Sequence, residues 1–163
     1  MKKVKTVPFL LTFWLAYFFV GPAVIEARPA LQQRLVSALA PFALSPLKIY
    51  LLLGLFMVIF ATARLLINYL LVHWVLTLGQ GARSKAVSER LFIALVLSDT
   101  LVAVLCLFGL EFWPGGVALF RFVTPFLSLV FFAILFHYRS VPRKTWWAAT
   151  GIEALLQVLG LFL

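Results

Sequence analysis

Charged side chains are scarce in this sequence of 163 residues, and acidic ones are the scarcest. Asp, Glu, Lys and Arg together make up 12% of the chain, about half the share found in a typical soluble domain. Hydrophobic residues make up 64%. A water-soluble core does not need that much apolar surface, whereas a surface that faces lipid does. The composition therefore predicts a protein embedded in a membrane.

Cysteine and histidine are also rare. The one cysteine, Cys106, lies inside an apolar run and can form no disulfide within the chain. No Cys and His cluster has the spacing of a metal site, so we expect no metal and no cofactor. His73 and His137 each precede an aromatic residue near the end of an apolar run, as residues that anchor a helix at the membrane interface do. We interpret Cys106 as a small packing residue.

Catalytic and nucleic-acid-binding patterns are missing as well. The chain has no G-x-S-x-G elbow, no H-E-x-x-H, no P-loop and no pair of carboxylates beside a histidine on one face, so we predict that it is not an enzyme. The net charge of +9 would indicate nucleic acid in a soluble protein. Here the basic residues lie at the ends of apolar runs, where they set topology and contact anionic lipid. We expect no nucleic-acid partner.

Five apolar runs are long enough to cross a bilayer as α-helices. A crossing needs about 20 residues, and a helix satisfies its own backbone hydrogen bonds in the hydrocarbon. The sequence therefore predicts an all-α, polytopic membrane bundle of about five transmembrane helices, forming a single domain over residues 1–163. The predicted spans are residues 7–25, 49–78, 91–110, 117–137 and 146–163.

The first span begins just after a basic N-terminal segment and resembles a signal peptide in that respect. Its length, its many aromatic residues and the poor cleavage site around Ala27 favour an uncleaved anchor. The segment 29–47 has leucines at helical spacing. It is either a short helix on the outer membrane interface or a loop packed over the bundle, and the sequence does not decide between them.

Lysine and arginine define an orientation. In a five-span chain, three basic segments share one side, and by the positive-inside rule that side is cytoplasmic. The N-terminus is then cytoplasmic and the C-terminus outside. Besides the N-terminal lysines, the basic residues that we expect to contact lipid headgroups or a partner there are Arg83, Lys85, Arg90, Arg139, Arg143 and Lys144.

Three charged residues lie well inside predicted spans, where an unpaired charge costs several kcal/mol. They are Arg64 in the second span, Asp99 in the third and Glu153 in the fifth. Asn68 follows Arg64 by one helical turn on the same face. Counting residues inward from the cytoplasmic ends brings all of them to similar depths. We predict a buried polar cluster in which Arg64 pairs with Asp99, with Glu153 and Asn68 nearby. It either fixes helix register or takes part in the passage of substrate, lipid or protons.

The order of helices and basic turns resembles the Yip family, the Ypt/Rab-interacting polytopic membrane proteins and their bacterial relatives. The Gly-rich basic turn after the second helix is matched by residues 78–84, and the basic turn of a later tight helix pair by residues 137–144. The resemblance runs from Leu44 to the C-terminus. It implies five closely spaced helices, a cytoplasmic N-terminus and a role as a membrane organiser or partner protein without a reaction.

Two functions remain open at this point. The first is a non-enzymatic scaffold, accessory subunit or bundle that binds lipid or another membrane protein, including a second copy of itself. The second is a small transporter, or the membrane subunit of one, built around Arg64, Asp99 and Glu153. The membrane we expect is the bacterial cytoplasmic membrane, with anionic lipid headgroups on its cytoplasmic side.

Overall fold

A computed structural model describes residues 6–42, 44–80, 85–138 and 141–162. Within these ranges the chain forms six α-helices, two short 3-10 helices and no β-strand. The all-α prediction is confirmed. The α-helices are α1 (Val7–Glu26), α2 (Pro29–Leu39), α3 (Pro46–Gln80), α4 (Lys85–Phe112), α5 (Val117–Tyr138) and α6 (Arg143–Phe162), and the 3-10 helices are Ala40–Phe42 and Pro114–Gly116.

Four of these helices are long and apolar enough to cross a membrane, as in a multi-pass membrane protein. They are Val7–Glu26, Pro46–Leu78, Ala86–Phe112 and Val117–Tyr138. The fifth predicted span corresponds to α6, which has 20 residues but is less apolar than the other four. Thr150, Glu153 and Gln157 are among its polar residues. Helix α6 is long enough to cross a membrane, but it is not among the helices that are also apolar enough. Its crossing therefore remains a prediction.

The segment 29–47 is mostly helical. Helix α2 covers Pro29–Leu39 and none of its residues is buried, so that part is a helix and not a packed loop, while its location on the outer membrane interface stays a prediction. Helix α3 begins at Pro46, at a position where the fixed φ of proline suits a helix start. With 35 residues, α3 is about 52 Å long. Because the hydrocarbon layer is about 30 Å thick, α3 must tilt or project from the membrane.

Helix α4 lies at the centre of the bundle. Half of its apolar span is buried, compared with between 17% and 22% of the other three spans. It packs against α1, α3 and α5, while α6 packs against α3 and α5. Helices α1 and α3 also contact each other. The largest buried apolar side chains include Phe13, Leu65, Leu91, Leu95, Phe132 and Phe136.

Two glycines let α1 and α3 approach closely. A Cβ atom built on Gly54 would lie 2.7 Å from ring carbons of Phe18 and 2.9 Å from the Phe18 carbonyl oxygen. A Cβ atom on Gly21 would lie 2.5 Å from Cγ of Met57. Small residues at helix contacts are the usual device for close packing in a membrane, where lipid removes the hydrophobic drive between helices.

Trp146 joins α6 to α5 near the start of α6. Its indole Nε1 donates a hydrogen bond of 2.8 Å to the carbonyl oxygen of Ala133. We expect Trp146→Phe to lower the free energy of unfolding by about 0.5–1.5 kcal/mol, because the ring is kept and the donor is lost. The measurement is unfolding of the purified protein in mixed detergent micelles. Trp147→Phe is the matched control, since the neighbouring Trp147 ring is exposed; equal losses for both variants would contradict a role for the hydrogen bond.

Candidate functional site

Polar side chains from α3 and α6 meet on two successive helical turns of each helix. Nη2 of Arg64 donates to Oε1 of Gln157 over 2.7 Å. One turn along α3, Nδ2 of Asn68 donates to Oε1 of Glu153 over 3.4 Å. Since Glu153 and Gln157 are also four residues apart, the two helices present matching pairs of polar groups to each other.

Gln157 extends this contact across the bundle. Its Nε2 donates to Oε1 of Glu153 over 2.7 Å and to Oγ of Ser128 on α5 over 3.4 Å. Ser128 in turn donates to Oδ1 of Asp99 on α4 over 2.9 Å. One chain of side-chain hydrogen bonds therefore joins α3, α6, α5 and α4. We call these six side chains, Arg64, Asn68, Asp99, Ser128, Glu153 and Gln157, the polar network.

The direct pair predicted between Arg64 and Asp99 is not what the structure shows. The guanidinium of Arg64 bonds to Gln157 and the Asp99 carboxylate to Ser128, so the connection between the two charges runs through two neutral side chains. The prediction that Arg64 is buried is wrong too, since the side chain is exposed overall. Its length lets the guanidinium reach Gln157, which is 4% exposed. Asp99, Asn68 and Glu153 are buried.

Sequence reasoning missed Gln157 and Ser128. A signal existed for Gln157, because it follows Glu153 by four residues and so shares its helix face. Ser128 likewise follows Thr124 by four residues in a helix that is otherwise almost entirely apolar. Residue counting gave the depth of each polar group. It did not give the rotation of each helix about its axis, which decides which group faces which.

The polar network lies at mid-depth of the bundle. Asp99 is about 21 Å along α4 from Lys85, and Glu153 is about 15 Å along α6 from Arg143. Ser128 is about 15 Å from Tyr138 at the end of α5. In a hydrocarbon layer about 30 Å thick, these positions are close to the midplane. Polar groups there need partners within the protein, and the network supplies most of them.

One oxygen of the network has no partner. Among the described residues, Oε2 of Glu153 and Oγ1 of Thr150 are buried without a hydrogen bond. They lie about one turn apart on α6, and Glu153 is 1% exposed. A bare carboxylate oxygen is costly away from water. The Glu153 carboxyl is therefore the point at which the network has capacity for one more hydrogen bond.

Two adjoining cavities lie beside the network, between α1, α4 and α5. The inner one, of about 150 Å³, is lined by Asp99 and Arg64 together with Ser128. The outer one, of about 220 Å³, is lined by Arg28 and Arg121 at the end of the bundle where α1 ends and α5 begins. Both are lined by Cys106 and Thr124, so the two cavities are neighbours, and we call them together the α1/α4/α5 groove.

Three of the residues predicted to contact lipid headgroups, Arg90, Arg143 and Lys144, lie at the opposite end. Arg143 and Lys144 are exposed in the first turn of α6, and Arg90 is half-buried in α4. Arg83, Arg139 and the side chain of Lys85 lie outside the described residues.

The two histidines pack against aromatic rings near that end. The ring of His73 stacks on Tyr69 at 5.6 Å, and Tyr69 shares a 2.5 Å hydrogen bond with Ser88 of α4. His137 contacts Trp146 edge-on at 5.4 Å. In the part of the chain that the structure describes, no three His, Cys, Asp or Glu residues group closely enough to hold a metal ion.

Comparison of the chain with protein-family models, with curated proteins and with solved structures finds no match. The resemblance to the Yip family therefore stays a prediction, and the function has to be argued from the polar network and the groove.

Proposed function

We propose that this protein is a non-enzymatic membrane bundle that binds lipid or another membrane protein through its helices. The observation that carries the proposal is the polar network. Its hydrogen bonds join four helices at mid-depth, and a groove opens beside it toward one end of the bundle. A network whose side chains bond mostly to one another suits a bundle that holds a fixed shape and presents a binding surface.

The proposal includes five spans, with the N-terminus cytoplasmic and the C-terminus outside. Helix α6 contributes Glu153 and Gln157 to the network and packs along α3 and α5. A helix attached to its neighbours at their midplane shares their depth in the bilayer. Its first turn carries Arg143 and Lys144, at the same end of the bundle as the start of α4, which supports a cytoplasmic location for that end.

Labelling of single cysteines tests this orientation. In a Cys106→Ser background, we expect a membrane-impermeant maleimide to label Ser45→Cys and Leu163→Cys in intact cells. Arg143→Cys should be labelled only after the membrane is permeabilised, because α6 then separates residues 143 and 163 by a full crossing. Labelling of Arg143→Cys and Leu163→Cys from the same side would contradict the fifth span. Labelling of Ser45→Cys from the cytoplasm alone would contradict the orientation.

The second candidate function is a small transporter, and the groove is the observation that favours it. The groove leads from Arg28 and Arg121 to Asp99 and Arg64, so it gives mid-depth ionisable groups a route toward one side. Against it, the network groups bond to one another rather than lining a path through to the other side.

Flux measurements in liposomes separate the two candidates. The purified chain would be reconstituted with a pH-sensitive dye inside the vesicles, and proton entry would be followed under an imposed gradient. The binding proposal expects the same slow leak for the parent protein, for Arg64→Leu and for protein-free vesicles. A flux that the parent shows and Arg64→Leu loses would overturn it in favour of transport.

The partner in this proposal is a membrane component of the cell in which the chain resides, which we propose to be the bacterial cytoplasmic membrane. Anionic lipid would contact the basic residues at the cytoplasmic end, including Arg143 and Lys144. A second copy of the chain or a different membrane protein would pack on the apolar helix faces. The Yip resemblance agrees with such a partner-binding role.

A further inference from the structure

We infer that the α1/α4/α5 groove binds one anionic phospholipid, with the phosphate between Arg28 and Arg121 and one acyl chain along the groove. This inference rests on the proposed function and goes beyond it, because it names the ligand class, the residues and the end of the bundle. The site lies at the end opposite to Arg143 and Lys144. In the proposed orientation it therefore takes its lipid from the outer leaflet.

Arg28 and Arg121 place positive charge where the phosphate of the lipid would lie. Arg28 directly follows the turn that ends α1, and Arg121 is in the second turn of α5, so both are at the level where hydrocarbon gives way to headgroups. Both line the same cavity of about 220 Å³. The planar guanidinium offers paired donors that match phosphate oxygens better than a lysine ammonium does. Trp113, exposed at the same end, is the kind of residue that marks the membrane interface.

Below the arginines, the walls of the outer cavity are mostly apolar. Val24, Leu110, Val117 and Phe120 line it. Thr124 also lines it, but its hydroxyl donates to the Phe120 carbonyl over 2.7 Å, so it offers no spare donor to a ligand. The Phe120 ring packs over Gly109, which leaves room for it by having no side chain. A hydrocarbon chain is the ligand that such walls accept at least cost.

The depth of the groove corresponds to one leaflet. From Leu110 to Asp99 the wall formed by α4 is about 16 Å long, and half of a hydrocarbon layer is about 15 Å. At the inner end, Asp99 already accepts a bond from Ser128, and Arg64 already donates to Gln157. A chain that enters at the headgroup level would thus end where the polar network begins. A small anionic solute would instead leave the apolar walls without a partner.

Native mass spectrometry of the purified full-length chain tests this site. The protein would be exchanged into detergent with equal amounts of phosphatidylglycerol and phosphatidylcholine of identical chains. We expect the parent to retain one phosphatidylglycerol in preference to phosphatidylcholine. The double variant Arg28→Gln with Arg121→Gln should lower that retention roughly tenfold or more, since each basic residue near a headgroup contributes to binding. Lys48→Gln, an exposed basic residue at the same end and outside the groove, is the matched control and should leave retention unchanged.

A variant that keeps both arginines separates charge from shape. Val24→Phe puts a larger side chain into the groove, and we expect it to lower phosphatidylglycerol retention while the thermal unfolding temperature stays close to that of the parent. A further arm uses glycerol 3-phosphate in place of lipid. If the soluble phosphate binds and phosphatidylglycerol does not, the ligand is a free anion and the lipid inference is wrong.

Two other results would also overturn the inference, and they differ in what they say about the proposed function. Equal retention of phosphatidylglycerol in the parent, the double arginine variant and Val24→Phe would place the lipid elsewhere and leave lipid binding intact. Retention of neither lipid by any of these proteins would remove the groove site and the lipid part of the proposed function together.

Discussion

Gly54→Ala is expected to destabilise the bundle by about 1–3 kcal/mol, the range found when atoms are forced into a packed interior. The added methyl group would lie 2.7 Å from the Phe18 ring and 2.9 Å from the Phe18 carbonyl oxygen. The ring can rotate aside, but the carbonyl belongs to the backbone of α1, so α1 and α3 must move apart. Gly54→Leu should separate them enough to leave little folded protein in the membrane. Unfolding in mixed micelles measures the first variant, and membrane accumulation the second.

Gly151→Ala is the matched control for this expectation. Nothing lies within 4 Å of a Cβ atom built on Gly151, and the residue is in the interior of α6. Alanine there removes the conformational freedom of glycine without a clash, so the stability should stay the same or rise by up to about 1 kcal/mol. If Gly54→Ala and Gly151→Ala behave alike, the close contact of α1 with α3 contributes nothing to stability and the packing argument is wrong.

The helices could be predicted from the sequence because their signal is strong and one-dimensional. A run of about 20 apolar residues has few alternatives to a membrane helix, and the long second run gives α3 directly. The ends were less certain, since α3 and α4 continue past the apolar runs into polar residues, such as Lys48 and Arg90. Segment 29–47 stayed open because amphipathic spacing alone does not distinguish a surface helix from a packed loop.

The polar network could be predicted only in part, because partner choice depends on helix rotation and packing distance. Depth counting placed Arg64, Asp99 and Glu153 at one level, and the structure has them in one network. Counting residues could not show that Gln157 and Ser128 lie between the charged groups of Arg64 and Asp99. The contact at Gly54 is equally invisible in the sequence, because it depends on which face of α1 meets α3.

Gln157→Leu is expected to be the most damaging single substitution in the polar network. Gln157 accepts from the Arg64 guanidinium and donates to Glu153 and Ser128, so leucine breaks three hydrogen bonds with one change. The guanidinium would then lack its acceptor at mid-depth. Loss of a hydrogen bond to a charged group costs about 1.5–3 kcal/mol, and we expect a loss in that range. Reversible unfolding of the purified protein by sodium dodecyl sulfate in mixed micelles provides the measurement.

Adding Arg64→Leu tests whether the damage comes from the stranded charge. Arg64→Leu alone should cost less than Gln157→Leu, because Nε2 of Gln157 keeps Glu153 and Ser128 as partners and only Oε1 of Gln157 loses its donor. The double variant should therefore be more stable than Gln157→Leu alone, with a coupling free energy of about 1–2 kcal/mol. Polar contacts between membrane helices contribute about 0.6 kcal/mol on average. We expect a value toward the upper end of their range because the donor, Arg64, is charged. Strictly additive losses would show that Arg64 and Gln157 do not depend on each other, and the network would then reduce to the contacts of Glu153 and Asp99 with their own neighbours.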